Sequence, residues 1–138
     1  MSSQDATAII QQVIQAANSG NIEGMMRFFS QDAVLRLEPP LPPPMRSTYR
    51  GRQEIREYLQ QIVGKGFHVE AREFRPANNG VTWRSRVSSE AFQRLGVSTA
   101  EDTNHAVVRG GQIQELTIHY SQETLQRMQA IPAGVGRR

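Results

Sequence analysis

The chain of 138 residues carries 16 basic and 13 acidic side chains, giving a formal net charge of +3 at pH 7, and it contains no cysteine. The length fits one domain, and the missing cysteine excludes disulfides and cysteine zinc sites. No apolar run approaches the roughly 18 residues of a membrane span, no signal-peptide pattern is present, and the arginines are too scattered to predict nucleic-acid binding. We therefore expect a cytoplasmic protein.

Two helices are predicted first. Residues 5–18 place apolar side chains at helical spacing, and Asn21 is a good cap for a second helix that runs to Phe29. The alternation in DAVLRL then predicts a strand over residues 33–38. The proline-rich PPLPPP, residues 39–44, is expected to form an extended lip.

The clearest helix lies in YRGRQEIREYLQQIVGKG, which carries one apolar stripe at helical spacing. Four strands are predicted after it, over residues 67–75, 81–89, 103–109 and 112–120. A short capped helix is expected over residues 121–128, and we assign residues 4–131 to a single domain and 132–138 to a flexible tail.

This order predicts an α+β fold in which a strongly curved antiparallel or mixed sheet wraps on three N-terminal helices. A pocket is expected between the sheet and the helices. The hairpin at Gly110-Gly111 allows two registers. A two-residue turn pairs Arg109 with Gln112, and a three-residue turn pairs Val108 with Gln112. The sequence alone does not decide between them, although a slip of one residue flips every side chain.

Common catalytic motifs are missing from the sequence. No nucleophile elbow, phosphate-binding loop, dinucleotide fingerprint or HExxH occurs. The histidines, His68, His105 and His119, stand singly in three predicted strands, so neither a metal site nor a cofactor is expected. The strand VTWRSRVSS alternates, with Arg84 and Arg86 on one face and Trp83 on the other. Alternation alone predicts that the arginine face meets water.

Four stretches, in their order and spacing, carry a family resemblance: FFSQDAVLRL, PPLPPP before YRGRQEI, NNGVTWRSRV, and RGGQIQEL before HYSQETLQRM. The chain resembles the nuclear transport factor 2-like superfamily, a cystatin-like fold with a conical cavity. Within it, the chain is similar to the SnoaL-like group and most similar to limonene-1,2-epoxide hydrolase. The resemblance implies a three-residue turn at the last hairpin, which places on one face Asp102, Asn104, Ala106, Leu116, Ile118 and Tyr120.

The resemblance also implies how the arginine strand is oriented. It turns Arg84, Arg86 and Ser88 into the cavity, and it places Trp83 on the convex sheet face, at the interface of a homodimer. Arg86 matches the catalytic arginine of the epoxide hydrolase. Ser88 and Ile118 stand where its two aspartates would stand, and Ile118 also matches the catalytic aspartate of SnoaL-type aldol cyclases. Since neither side chain can replace an aspartate as acid or base, these reactions are not expected in that form.

An arginine inside a cavity needs a carboxylate partner, and Asp102 is the best candidate, with Glu101 and Glu38 as alternatives. We expect a domain that binds a small apolar ligand bearing a carboxylate or carbonyl. The alternative is a cofactor-independent isomerase, cyclase or hydrolase whose catalytic residues are Arg86 and Asp102. The expected ligand-binding residues are Ile14, Phe29, Leu35, Leu37, Leu59, Val63, Arg84, Ser88, Asn104, Leu116, Ile118 and Tyr120.

Overall fold

The computed structural model describes residues 3–38, 46–64, 66–94 and 96–129. The helices are α1 (Ser3–Asn18), α2 (Ile22–Met26), α3 (Gly51–Ile62), α4 (Glu90–Arg94) and α5 (Gln122–Gln129). The strands are β1 (Phe29–Glu38), β2 (Thr48–Arg50), β3 (His68–Ala77), β4 (Gly80–Ser88), β5 (Ala100–Arg109) and β6 (Gln112–Tyr120). The predicted lip at 39–44 and tail at 132–138 lie outside the described residues.

The six strands form one curved sheet in the order β2-β1-β6-β5-β4-β3. The contact of β1 with β6 is parallel and the other four are antiparallel, so the sheet is mixed. This confirms the predicted α+β class. Among the described helices, none is both long and apolar enough to cross a membrane.

Several predicted boundaries were wrong. The second helix ends at Met26, and Phe29 already belongs to β1. The short β2 and α4 were not predicted, and β5 begins at Ala100, earlier than expected. Segments as short as β2 and α4 offer too few residues for a periodic signal, so tertiary contacts decide their conformation.

Helices α1 and α3 cover the inner face of the sheet, α1 against β3 and α3 against β1. Each buries the apolar stripe that its sequence shows. Asn18, in the last turn of α1, accepts a hydrogen bond from the Val69 amide at 2.8 Å and donates one to the Val69 carbonyl at 3.0 Å. Because β3 is an edge strand, this pair of bonds fastens α1 to backbone groups that no neighbouring strand can satisfy.

The last hairpin begins in the two-residue register and, past a bulge, follows neither of the two registers that the sequence allows. Arg109 pairs with Gln112 across Gly110 and Gly111, whose φ values of 58° and 78° suit a two-residue turn. The register then shifts next to Val107, where Gln114 is the extra residue of β6. The expected three-residue turn is therefore wrong. The bulge nevertheless produces the expected pairing of faces, because one extra residue reverses the side-chain alternation of the strand.

Candidate active site

The inner face of the sheet and helices α1 and α3 enclose a cavity. Its volume is about 110 Å³, and it opens to solvent on one side. Most of the lining is aliphatic or aromatic. The lining residues are Val13, Ile14, Ala17, Met25, Phe29, Leu35, Tyr58, Leu59, Ile62, Val63, Phe67, Val69, Trp83, Ser85, Val87, Phe92, Asp102, Asn104, Leu116, Ile118 and Tyr120.

A hydrogen-bonded group of polar side chains stands in this apolar wall. Ser85 Oγ donates to Asp102 Oδ1. Asn104 Nδ2 lies 2.8 Å from the same carboxylate oxygen and 3.1 Å from Ser85 Oγ. Both side-chain donors therefore converge on Oδ1, and neither of them binds Oδ2. Asp102 is only 7% exposed and is the one carboxylate among the described lining residues.

Strand pairing explains why these side chains meet. Ser85 of β4 pairs with Asp102 of β5, and Trp83 pairs with Asn104. Directly paired residues of an antiparallel ladder project from the same face of the sheet. Since side chains alternate along each strand, Trp83, Ser85, Asp102 and Asn104 all face the cavity.

Burial raises the pKa of Asp102 from its ordinary value of 3.8 to about 6. Hydrogen bonds from Ser85 and Asn104 oppose this rise because they stabilise the ionised form, and the negative charge of Glu101 adds to it. At neutral pH the carboxyl group is mostly ionised, yet its basicity lies close to the working pH. A carboxylate with such a pKa is suited to accept a proton and to return it.

Two tyrosines complete the polar group. The Tyr58 and Tyr120 hydroxyl groups form a hydrogen bond with each other, and burial raises the pKa of both above the ordinary value of 10. Both therefore stay neutral donors at physiological pH. Tyr49 packs against the Tyr58 ring with centroids 4.8 Å apart, and Phe92 packs against Tyr120 at 5.8 Å. These contacts hold both phenol rings in place beside Asp102.

The arginine face of β4 points away from the cavity, so its predicted orientation was wrong. Arg86 pairs opposite Glu101 and lies 3.3 Å from its carboxylate, and Arg84 lies 3.3 Å from Glu73. Their side chains are 51% and 54% exposed. Ser88 shares this outer face and is half-buried. The predicted pair of Arg86 with Asp102 does not form, because Asp102 belongs to the opposite face of the sheet.

Trp83 was also misplaced by the resemblance. It is 6% exposed, lines the cavity and stacks on Phe74 with ring centroids 6.0 Å apart. It does not lie on the convex face, so it cannot contribute to an interface there. A homodimer through the convex face stays a prediction, without Trp83 as part of it.

The other predicted residues mostly reach the cavity. Leu37 is buried in the core and is not part of the lining. The cavity is lined by the remaining predicted residues, Ile14, Phe29, Leu35, Leu59, Val63, Asn104, Leu116, Ile118 and Tyr120, together with Asp102. Sequence reasoning missed Tyr58 and Ser85 as polar site residues. Tyr58 was hidden in the apolar stripe of α3, whereas Ser85 shares the alternation of Trp83 and could have been found from it.

Metal ligation has no support among the described residues, where no group of three or more histidine, aspartate or glutamate side chains could hold an ion. His68, His105 and His119 occupy three different strands. None of them lines the cavity. The polar lining residues carry carboxyl, hydroxyl, amide and indole groups.

The SnoaL-like domain family matches residues 10–116. No curated protein matches the chain significantly. Among solved structures, Bal32a from a soil-derived mobile gene cassette is 14% identical with a TM-score of 0.75, over 91% of this chain and 95% of its own. A proposed polyketide cyclase from Xanthomonas campestris is 20% identical with a TM-score of 0.67, over 91% and 98% of the two chains.

A proposed ketosteroid isomerase from Kribbella flavida is 11% identical with a TM-score of 0.68, over 87% of this chain and 80% of its own. An NTF2-like protein from Cytophaga hutchinsonii is 11% identical with a TM-score of 0.69, over 88% and 94% of the two chains. At these identities the structures show a common fold and no common reaction. The family match covers most of the chain. The chain therefore belongs to the SnoaL-like domain family and has the nuclear transport factor 2-like fold.

Proposed function

We propose that this protein is an enzyme that binds a small apolar carbonyl compound in its cavity and moves a proton on it, with Asp102 as the acid–base group. The observation that supports this most is the Asp102 carboxyl group, buried in an apolar wall with its pKa raised to about 6. Burying an ionisable group without a charged partner costs stability. A proton-transfer role gives a reason for such a group in this place.

The proposed reaction begins with the ligand oxygen at the tyrosines. One hydroxyl group of the Tyr58–Tyr120 pair accepts the hydrogen bond of the other and can donate its own proton to the ligand carbonyl. Asp102 Oδ2 then takes a proton from the carbon next to the carbonyl, and the electron pair of that C–H bond moves onto the carbonyl oxygen as an enolate. The donated hydrogen bond stabilises this developing charge. If the ligand carries a carbon–carbon double bond beginning one carbon further from the carbonyl, the enolate is conjugated with it, and Asp102 returns its proton to the far carbon of that double bond, which completes an isomerisation.

A cyclisation can follow from the same enolate. If the ligand carries a second carbonyl group, the enolate carbon attacks that carbonyl carbon, a C–C bond forms and the new alkoxide takes the proton from Asp102. Both reactions use one carboxyl group as base and then as acid. Ser85 and Asn104 serve as positioning residues, because they hold Oδ1 and so orient Oδ2 toward the ligand.

The lining favours a neutral ligand. Arg84 and Arg86 lie outside the cavity, and none of the described lining residues is an arginine or lysine. A ligand carboxylate would thus meet the ionised Asp102 without a compensating cation, which is unfavourable in an apolar site. A carbonyl group needs only the hydrogen-bond donors that the tyrosines supply.

Epoxide hydrolysis, the reaction of limonene-1,2-epoxide hydrolase, ranks below proton transfer on a carbonyl compound. That reaction needs one group to activate water and another to protonate the epoxide oxygen. Asp102 could serve as the first, but the lining offers no second carboxyl group within the described residues. With Arg86 on the outer face, the resemblance to the hydrolase loses its catalytic arginine as well.

The test is exchange of hydrogen for deuterium next to the carbonyl of three ketones in D₂O, followed by proton NMR. The ketones are cyclohexanone, 2-decalone and androst-4-ene-3,17-dione. We expect the protein to accelerate exchange on at least one of them and Asp102→Asn to abolish the acceleration. Asp32→Asn, the same change at an exposed carboxylate of β1, is the matched control and should behave as the wild type.

Two results would count against the enzyme. Full exchange activity in Asp102→Asn would remove Asp102 from the mechanism. Saturable ketone binding without any exchange would leave a ligand-binding domain, which is the alternative function that the apolar cavity supports.

A further inference from the structure

The cavity is small compared with the ligands that the neighbours' names suggest. Its volume is about 110 Å³. An engineered protein cavity of roughly 150 Å³ holds benzene, so space of this order accommodates one ring. A four-ring steroid or a multi-ring polyketide would have to leave most of its atoms at the mouth. Apolar contacts that the ligand cannot make inside the walls contribute nothing to its affinity.

Trp83 occupies space next to the polar group. It lies directly opposite Asn104 in the β4–β5 ladder and precedes Ser85 by two residues on the same face. Its side chain is buried, and Phe74 stacks against it at 6.0 Å. An indole that is packed by a neighbouring ring cannot easily turn away from an incoming ligand, because protein interiors are close-packed. Trp83 therefore forms a fixed wall of the cavity beside Ser85 and Asn104.

The lining divides into a polar part and an apolar remainder. The polar atoms belong to Tyr58, Ser85, Asp102, Asn104 and Tyr120, and the other lining side chains are aliphatic or aromatic, apart from the indole N–H of Trp83. Residues 102 and 104 pair with residues 120 and 118, and residue 85 pairs with 102, so the sheet-borne polar groups are gathered in one region. A ligand that fits has one oxygen-bearing end and an apolar body.

We propose that the natural ligand is a single-ring or short-chain ketone or aldehyde of about six to ten non-hydrogen atoms, and that Trp83 sets this size limit. The carbonyl group in this statement rests on the proposed function. The size limit rests on the cavity and on Trp83, and it can fail while the proposed function stands. Ligand size is therefore tested through binding, separately from exchange.

The experiment measures binding of cyclohexanone, 2-decalone and androst-4-ene-3,17-dione to the wild-type chain by calorimetry. We expect cyclohexanone to bind, and the affinity for the steroid to be at least about tenfold lower, since a poor fit in a packed pocket lowers affinity by about this factor. Fluorescence provides a second reading in the wild type. Trp83 is the only tryptophan of the chain, so a ligand in the cavity should change the emission spectrum.

The variant Trp83→Ala should shift the preference of the cavity from the small ketone toward the larger one. Removing the indole enlarges the cavity, so 2-decalone should bind about tenfold more tightly than to the wild type, while cyclohexanone should lose affinity. Trp83→Phe is a milder second variant, to be used if Trp83→Ala is too unstable to purify. Its affinity for 2-decalone should lie between the affinities of the wild type and of Trp83→Ala. The matched control is Phe28→Ala, which removes a partly buried aromatic ring that does not line the cavity, and it should keep the wild-type order.

The possible failures are distinguishable. Equal affinities of the wild type for the steroid and for cyclohexanone would overturn the size limit. If the protein then also exchanged hydrogen on the steroid, and this exchange required Asp102, the proposed function would still stand. An unchanged order in both Trp83 variants would remove Trp83 as its cause. If none of the three ketones binds or exchanges, both the size limit and the proposed function are wrong.

Discussion

Ser85 pairs with Asp102 across the ladder of β4 and β5, and its hydroxyl group donates a hydrogen bond to Asp102 Oδ1. This pair joins the inner face of β4 to the proposed acid–base group. Arg86 follows Ser85 in the chain but projects from the other face of the sheet, so Arg86 and Asp102 lie on opposite faces. The carboxyl group is therefore stabilised by neutral hydrogen-bond donors rather than by an arginine. Burial raises its pKa, and the hydrogen bonds from Ser85 and Asn104 offset only part of that rise.

Asp102→Asn should stabilise the protein above pH 6. The pKa of Asp102 is higher in the folded chain, about 6, than its ordinary value of 3.8. The unfolded chain therefore releases this proton first, so the free energy of unfolding falls as pH rises from about 4 to 6. The loss is about 3 kcal/mol at most, taking 1.36 kcal/mol per pKa unit. Urea unfolding at pH 4, 5 and 7 should show a gain for the variant that is small at pH 4, larger at pH 5 and largest at pH 7.

The control for that measurement is Asp32→Asn at an exposed position. It should change the free energy of unfolding by roughly 0.5 kcal/mol or less at every pH. A variant at residue 102 that loses stability at pH 7 would show that the ionised carboxylate stabilises the fold, contrary to its raised pKa. Stabilisation with lost exchange activity is the expected combination, because functional groups are often kept at a cost in stability.

Ser85→Ala should raise the pKa of Asp102 further. The variant removes a hydrogen bond that favours the ionised form. We expect the pH at which exchange activity is half-maximal to move upward, and the carboxyl resonance of Asp102 in NMR to titrate at the same higher pH. Ser88→Ala, on the outer face of the same strand, is the matched control. An unchanged titration of Asp102 in Ser85→Ala would show that this hydrogen bond does not tune the carboxyl group.

Arg86→Ala should leave ligand binding unchanged. The guanidinium is half exposed and pairs with Glu101 at 3.3 Å outside the cavity. Pairs of this kind contribute about 0–1 kcal/mol, so the midpoint of urea unfolding should move little. The measurements are calorimetric titration with cyclohexanone and urea unfolding. Loss of binding in this variant would return Arg86 to the cavity, as the family resemblance first implied.

Gly80→Ala should unfold the protein or destabilise it by about 4 kcal/mol or more. A Cβ atom at residue 80 would lie 1.7 Å from the carbonyl oxygen of Ala106, which is backbone and cannot turn aside. The matched control is Gly64→Ala, where a Cβ atom meets nothing within 4 Å. Circular dichroism during heating compares the two variants. Equal melting temperatures would mean that β5 can move away from β4 at low cost.

Helical and alternating periodicity was enough to predict the main elements. The stripes of α1 and α3 and the alternation of β4, β5 and β6 come from local repeats of 3.6 and 2 residues, which need no tertiary information. The order of helices and strands then predicted the α+β class. Asp102 and Asn104 were also expected on the face of Leu116, Ile118 and Tyr120, although through a turn that the structure does not contain.

Sequence alone determined which residues of a strand share a face, and tertiary structure decided which face meets the cavity. Alternation separated Trp83 and Ser85 from Arg84 and Arg86, and it predicted that the arginines meet water. The family resemblance reversed that prediction, and the structure restores it. The bulge at Gln114 and the contact of Tyr58 with Tyr120 likewise depend on residues far apart in the chain. Strand register and helix docking are cooperative properties of the packed core, so no local pattern encodes them.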